Sequence, residues 1–113
     1  MKTDLDPGIT GRTVLITGGS KGLGFAMARA FHGAGAKVAL VARDPARLAD
    51  AAQALTADGG AAVITAAADV ADGEQLTAAH EHVENTLGPV DVLINNAGLA
   101  AFGSFIDISD EAW

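Results

Sequence analysis

The sequence predicts a doubly wound α/β domain built on a parallel sheet, and three observations carry that expectation. Short apolar strand signals recur four times, and the clearest of them, such as Val14-Leu15-Ile16, are unbroken rather than alternating. Unbroken runs are what strands covered on both faces require. Between them lie alanine-rich stretches whose apolar residues return at helical spacing, and Gly, Pro or Asp marks nearly every junction. Strands alternating with helices in this way build parallel sheets through right-handed crossovers.

Taken in order, residues 1–12 read as a polar surface lead-in with a turn at Asp6-Pro7-Gly8. The first strand is predicted over residues 12–17. A helix over residues 22–33 follows, with Leu23, Ala26, Met27, Ala30 and Ala34 as its inward face, and Gly33-Ala34-Gly35 ends it. Residues 37–42 form the second strand. Asp44 then reads as an N-cap with Pro45 at the first helical position. That second helix runs to about residue 57, burying Leu48, Ala51, Ala52 and Leu55, until Asp58-Gly59-Gly60 stops it. The third strand, residues 62–67, is weaker in hydrophobicity. Asp72 or Gly73 opens a third helix with Leu76, Ala79, Val83 and Leu87 inward, and Gly88-Pro89 closes it. Residues 90–95 form the fourth strand. Beyond Asn96-Ala97-Gly98 a loop carrying Phe102 and Phe105 leads to Ser109, an N-cap candidate four residues before the final Trp113.

Composition narrows the functional classes. The 113 residues suit one domain or part of a larger one, and half of them are hydrophobic. A net charge of −7 argues against nucleic acid or an anionic membrane as partner. It does not argue against a phosphate held by backbone N–H groups. With no cysteine there is no disulfide, thiolate metal site or thiol nucleophile. No leader pattern or membrane-length apolar run occurs, so a cytoplasmic protein is expected. His80 and His82, two apart on a helix, point to different faces, and with His32 they read as solvated side chains rather than metal ligands. The sequence also contains no tyrosine.

Chemistry concentrates where the first strand meets the first helix. Thr17-Gly18-Gly19-Ser20-Lys21-Gly22-Leu23-Gly24 places four glycines between a buried strand and a helix N-terminus. Glycines admit close backbone approach, and unpaired N–H groups with the helix dipole favour an anion, so a dinucleotide phosphate is the expected ligand. The spacing departs from G-x-G-x-x-G and resembles the TGxxxGxG turn of the ordinary, non-extended short-chain dehydrogenase/reductases. Asn95-Asn96-Ala97-Gly98 matches that family's NNAG motif, and Asp69-Val70 a third family position.

The resemblance covers the chain from about Thr10 to Trp113. It implies a Rossmann-type doubly wound parallel sheet, here the first four β-α units of a longer fold, so that residues 1–113 form a partial NAD(P)-binding domain. It further implies a cofactor site made by Thr17, Gly18, Gly19, Ser20, Lys21, Gly22, Leu23, Gly24, Arg43, Asp69, Val70, Asn95, Ala97 and Gly98. In it the first Asn stands near the ribose, and Asp69 with the next backbone group holds adenine. Asp44 lies at the distance where an NAD-type acid is expected, but it is better explained as the helix cap. Arg43 and Lys21 read as a clamp for the 2′-phosphate of NADP, which is favoured over NAD, although Arg43 alone could be a solvated surface charge.

Family members move hydride between nicotinamide and a carbonyl or alcohol on a small molecule, usually as homo-oligomers. Their proton comes from a Tyr-x-x-x-Lys pair, with a Ser and an upstream Asn, and the matching segment would fall beyond Trp113. Two readings follow. One is the N-terminal part of an NADP-dependent oxidoreductase, inactive by itself, with no catalytic residue and an exposed fourth-strand edge that favours self-association. The other is a non-catalytic nucleotide-binding or interaction module.

Overall fold

A computed structural model describes residues 8–20, 22–57, 59–96 and the backbone of 105–107. Lys21, Asp58, Ala97, Gly98, Phe102 and Ser109, like residues 1–7, lie outside the described residues. In chain order the elements are β1 (Thr13–Thr17), α1 (Gly22–Gly33), β2 (Lys37–Ala42), α2 (Pro45–Thr56), β3 (Val63–Ala67), α3 (Gly73–Leu87), β4 (Val92–Asn95) and β5 (Phe105–Asp107). Among the described residues no helix is long and apolar enough to cross a membrane.

The sheet order is β3-β2-β1-β4-β5, and its first four strands are all parallel. Strand residues alternate between two cores. Val14, Ile16, Val38, Leu40, Val92 and Ile94 face α1 and α2, packing on Ala28, Phe31, Leu48, Ala51 and Leu55. Leu15, Ala39 and Val41 face the other way, toward Ala79, Val83 and Leu87 of α3. Helices on both faces explain why these strands read as continuous apolar runs, with all five residues of β1 buried. The core under α3 is looser at its margins, since Ile64 and Leu93 are only partly buried.

Two expectations need correction. The α1 face is only partly the one predicted: Ala34 is buried and Met27 packs partly buried on the core, but Gly24, Ala28 and Phe31 complete the inward face, whereas Leu23 is 58% exposed and Ala26 and Ala30 are also outward. A segment apolar all round has no unique periodicity, so the choice falls to the closest approach, which occurs at Gly24. Phe105, expected in a loop, begins β5, which pairs antiparallel with β4 through Asn95↔Phe105, Ile94↔Ile106 and Leu93↔Asp107. The expected bare edge of β4 is therefore covered along those three residues.

Caps follow the sequence closely. Asp44 in extended conformation accepts from the N–H groups of Ala46 and Arg47 at 3.0 and 3.4 Å, with Pro45 at the first position of α2. Asp72 does the same for Glu74 and Gln75 at the start of α3. At the far end of α3 the carbonyl of Leu87 accepts from Lys37 Nζ at 2.6 Å and from Thr13 Oγ1 at 3.2 Å. A cation is suited to a helix C-terminus, where unpaired carbonyls concentrate negative potential. Asp91 adds to this floor, accepting from the Thr13 N–H at 2.9 Å and pairing with Arg12 at 3.3 Å.

Candidate nucleotide-binding site

Strand order decides where a ligand has room. From β1 the connections run outward through β2 to β3, then α3 carries the chain back across the sheet to β4 on the other side of β1. The connections leaving β1 and β4 therefore diverge, and a crevice opens beyond the C-terminal ends of these strands. Thr17 and Asn95 are register partners at that point.

One hydroxyl ties the two tips together. Thr17 Oγ1 donates to Asn95 Oδ1 at 2.9 Å and accepts from the Asn96 N–H at 3.0 Å, while Thr17 itself is 3% exposed. Asn96 Nδ2 reaches on to the Gly18 carbonyl at 3.4 Å, so β4 braces the glycine turn. The turn is also tied to β2, through Gly18 N–H to the Val41 carbonyl at 2.7 Å.

The glycines are required by their surroundings. Gly18 and Gly22 have φ of 68° and 60°, a region that side chains with a Cβ seldom adopt. A Cβ on Gly24 would stand 2.2 Å from the Gly18 carbonyl oxygen and 2.9 Å from Asn96 Nδ2. That contact seats the first turn of α1 directly against the end of β1. Leu23 lies at the rim with its side chain outward.

A cleft of about 510 Å³ runs from this turn along the tips of β2 and β3. Its walls are Gly18 and Ser20 from the turn, Ala42 and Arg43 from the end of β2, Asp44 and Arg47 from α2, and residues 68–71 after β3. The volume falls in the range of small-molecule sites, roughly 300–1,000 Å³. The Ala68 N–H donates to the Ala42 carbonyl at 2.9 Å, which continues the sheet pairing and levels the cleft floor. Ala42, Ala68 and Ala71, with Val70, give that part of the cleft a lining of small apolar side chains.

The β3–α3 loop is held by its own polar groups. Asp69 Oδ1 accepts from the Ala71 N–H at 2.9 Å, and the Asp69 N–H donates to Gln75 Oε1 at 2.8 Å. Gln75 Nε2 in turn donates to Asp72 Oδ2 at 3.2 Å. Sequence reasoning missed Gln75, although Asp72-x-x-Gln75 has capping-box spacing that would have flagged it. It also passed over Arg47.

Of the predicted site residues, Gly18, Ser20, Arg43, Asp69 and Val70 come together in this cleft. Thr17, Gly19, Gly22, Leu23, Gly24 and Asn95 form or adjoin the turn and the crevice beside it. Lys21, Ala97 and Gly98 lie outside the described residues. The histidines are dispersed: His32 Nε2 lies 2.9 Å from the Ala61 carbonyl and His80 Nε2 lies 3.4 Å from Glu84. Among the described residues no three His, Asp or Glu side chains gather as a metal site.

Residues 12–113 match the family described as short chain dehydrogenase. The chain belongs to that family. It is 41% identical over 99 residues to a short chain dehydrogenase of Pseudocercospora fijiensis, covering 88% of this chain and 32% of the relative. It is 44% identical over 101 residues to a ketoacyl reductase of a Nostoc species, covering 89% and 35%. Among solved structures, the L-sorbose reductase of Gluconobacter frateurii, complexed with NADPH and L-sorbose, superposes with a TM-score of 0.76. The identity is 43%, and the match covers 79% of this chain and 34% of that one. An NADPH-bound short-chain oxidoreductase of Pseudomonas aeruginosa gives 0.75 at 42% identity, covering 77% and 34%. The short-chain dehydrogenase chain described here thus spans about a third of the length of the curated relatives it matches.

Proposed function

We propose that this chain is the nucleotide-binding part of an NADP-dependent short-chain oxidoreductase acting on a carbonyl or alcohol of a small molecule. The observation that carries the reading is the cleft itself: a glycine turn, small apolar side chains and two arginines lining one cavity. The residues fit an adenine dinucleotide. The N–H groups of the glycine turn and of the α1 N-terminus would take the pyrophosphate, as unpaired helix donors do. Ala42, Ala68 and Val70 would bed the adenine, with Asp69 and the Val70 backbone at its polar edge. Asn95, held by Thr17, would stand near the nicotinamide-side ribose, and Ala97 and Gly98 follow it in the same motif. Arg43, with Lys21 from the turn, would meet the 2′-phosphate, since guanidinium groups bind phosphate through charge-assisted paired hydrogen bonds. Leu23 would contribute its backbone only.

When bound, the cofactor supplies or accepts hydride. This chain's own residues bind and orient it. The named relatives support the same cofactor, because two of the solved structures they include carry NADPH.

Equilibrium titration of the chain with NADPH and NADH tests the reading. Tighter binding of NADPH is expected, by about tenfold to a hundredfold, as a charge-assisted contact of roughly 1.5–3 kcal/mol implies. Arg43→Asp is expected to erase or invert that preference. Equal affinities before the substitution would refute the NADP assignment.

A further inference from the structure

Arg47 was not singled out by any motif, yet it stands in the cleft wall with Arg43, Asp44 and Ser20. It also lines the adjoining groove with Ser20, Phe25 and Asp50, so it sits on the ridge between the two. Its Nε lies 3.5 Å from Asp44 Oδ2, one turn away on the same helix. The other oxygen of that carboxylate, Oδ1, is committed to the cap of α2 through the N–H groups of Ala46 and Arg47. Asp44 is therefore engaged on both oxygens.

The electrostatic balance of the wall is close. Two arginines, Arg43 and Arg47, face two acids, Asp44 and Asp69, around one cleft in a chain of net charge −7. Removing Arg47 would leave Asp44 uncompensated beside Arg43, in a wall that turns net negative. A phosphate monoester, itself carrying between one and two negative charges near neutral pH, would then meet a net negative wall in place of a balanced one.

We infer that Arg47 is a specificity-determining residue for the 2′-phosphate. It masks Asp44 and adds a second cation to the cleft, so that an acid placed where it could select an unphosphorylated ribose does not do so. This inference rests on the reading of the cleft as the adenosine end of an NADP site. Asp44 keeps its structural work as N-cap, and Arg47 removes its electrostatic cost to the ligand.

Adenosine 2′,5′-bisphosphate and adenosine 5′-monophosphate are the probes, since they differ only by the 2′-phosphate. Each is titrated into the full chain by calorimetry at low salt, where screening is weak. Arg47→Ala is expected to weaken the bisphosphate about fivefold to tenfold while changing the monophosphate less than about twofold, the scale of one exposed charge contact to phosphate. In the Arg47→Ala background, Asp44→Asn is expected to recover most of that loss, because Asn caps a helix as well as Asp does. Circular dichroism checks that α2 persists in each variant. If Arg47→Ala leaves the ratio of the two affinities unchanged while Arg43→Ala lowers it, the role of Arg47 is overturned and the cleft reading stands. If the unsubstituted chain binds neither probe, both are overturned.

Discussion

Thr17 ties Asn95 at the end of β4 and Asn96 at its exit to β1 with a single hydroxyl, and it does so in a nearly dry position. Replacing it by Val keeps the shape but withdraws a donor from Asn95 and an acceptor from the Asn96 N–H. The expected cost is about 1–3 kcal/mol, the range for disturbing buried hydrogen-bonding groups. Thr17→Ser is expected to restore most of it, and denaturant unfolding of the two variants compares them directly. At this scale part of the site was legible and part was not. Thr17 and Asn95 could be singled out because each ends an apolar run just before a glycine or asparagine turn. Their mutual bond joins positions 78 residues apart, and only the strand order brings them together. Arg47 shows the same limit: its spacing to Asp44 is visible in the sequence, but whether the first turn of α2 borders the cleft depends on how β2 ends.

The first helix separates two kinds of information. Its ends were readable from glycines, and its inward face only in part, because Leu23, Phe25, Ala26, Met27 and Ala28 leave apolar side chains on every side. Close approach at Gly24 chooses the rotation instead. The substitution pair Gly24→Ala and Leu23→Gln exposes that choice. The first forces a methyl group into the Gly18 carbonyl, and is expected to destabilise by about 1–3 kcal/mol or more and to abolish nucleotide binding. The second alters an exposed side chain and is expected to stay within about 0.5 kcal/mol of the parent. Melting temperature and nucleotide titration on both variants check the orientation of α1. The other two helices were read more fully because Asp44-Pro45 and Asp72 mark their starts and their apolar stripes are narrower. Even there Ala52 and Leu76 proved only partly buried, at the margins of the stripe.

At the scale of the molecule, alternating strands and helices made the parallel sheet legible, and the two-sided core bears out why its strands are unbroken apolar runs. The antiparallel β5 was not legible, since three residues carry no period and the pairing depends on where β4 lies. The same scale bears on activity. With no tyrosine in the sequence, the 113-residue chain is expected to show no NADPH-dependent reduction of carbonyl compounds. A spectrophotometric assay of NADPH loss over a carbonyl panel checks this, and robust turnover by the purified chain would refute it. The strand order has one more consequence, for the time course of folding. β1 is central in the sheet, and its neighbour β4 begins 79 residues after it. Until β4 leaves the ribosome, β1, β2 and β3 can pair, but one side of β1 stays an unpaired template. Such long-range parallel pairing is slow and exposes edges during synthesis. The nascent chain is therefore most prone to stray pairing after α1 has docked and before Val92 emerges, an interval in which its glycine turn already has a strand on one side but lacks the brace from Asn96.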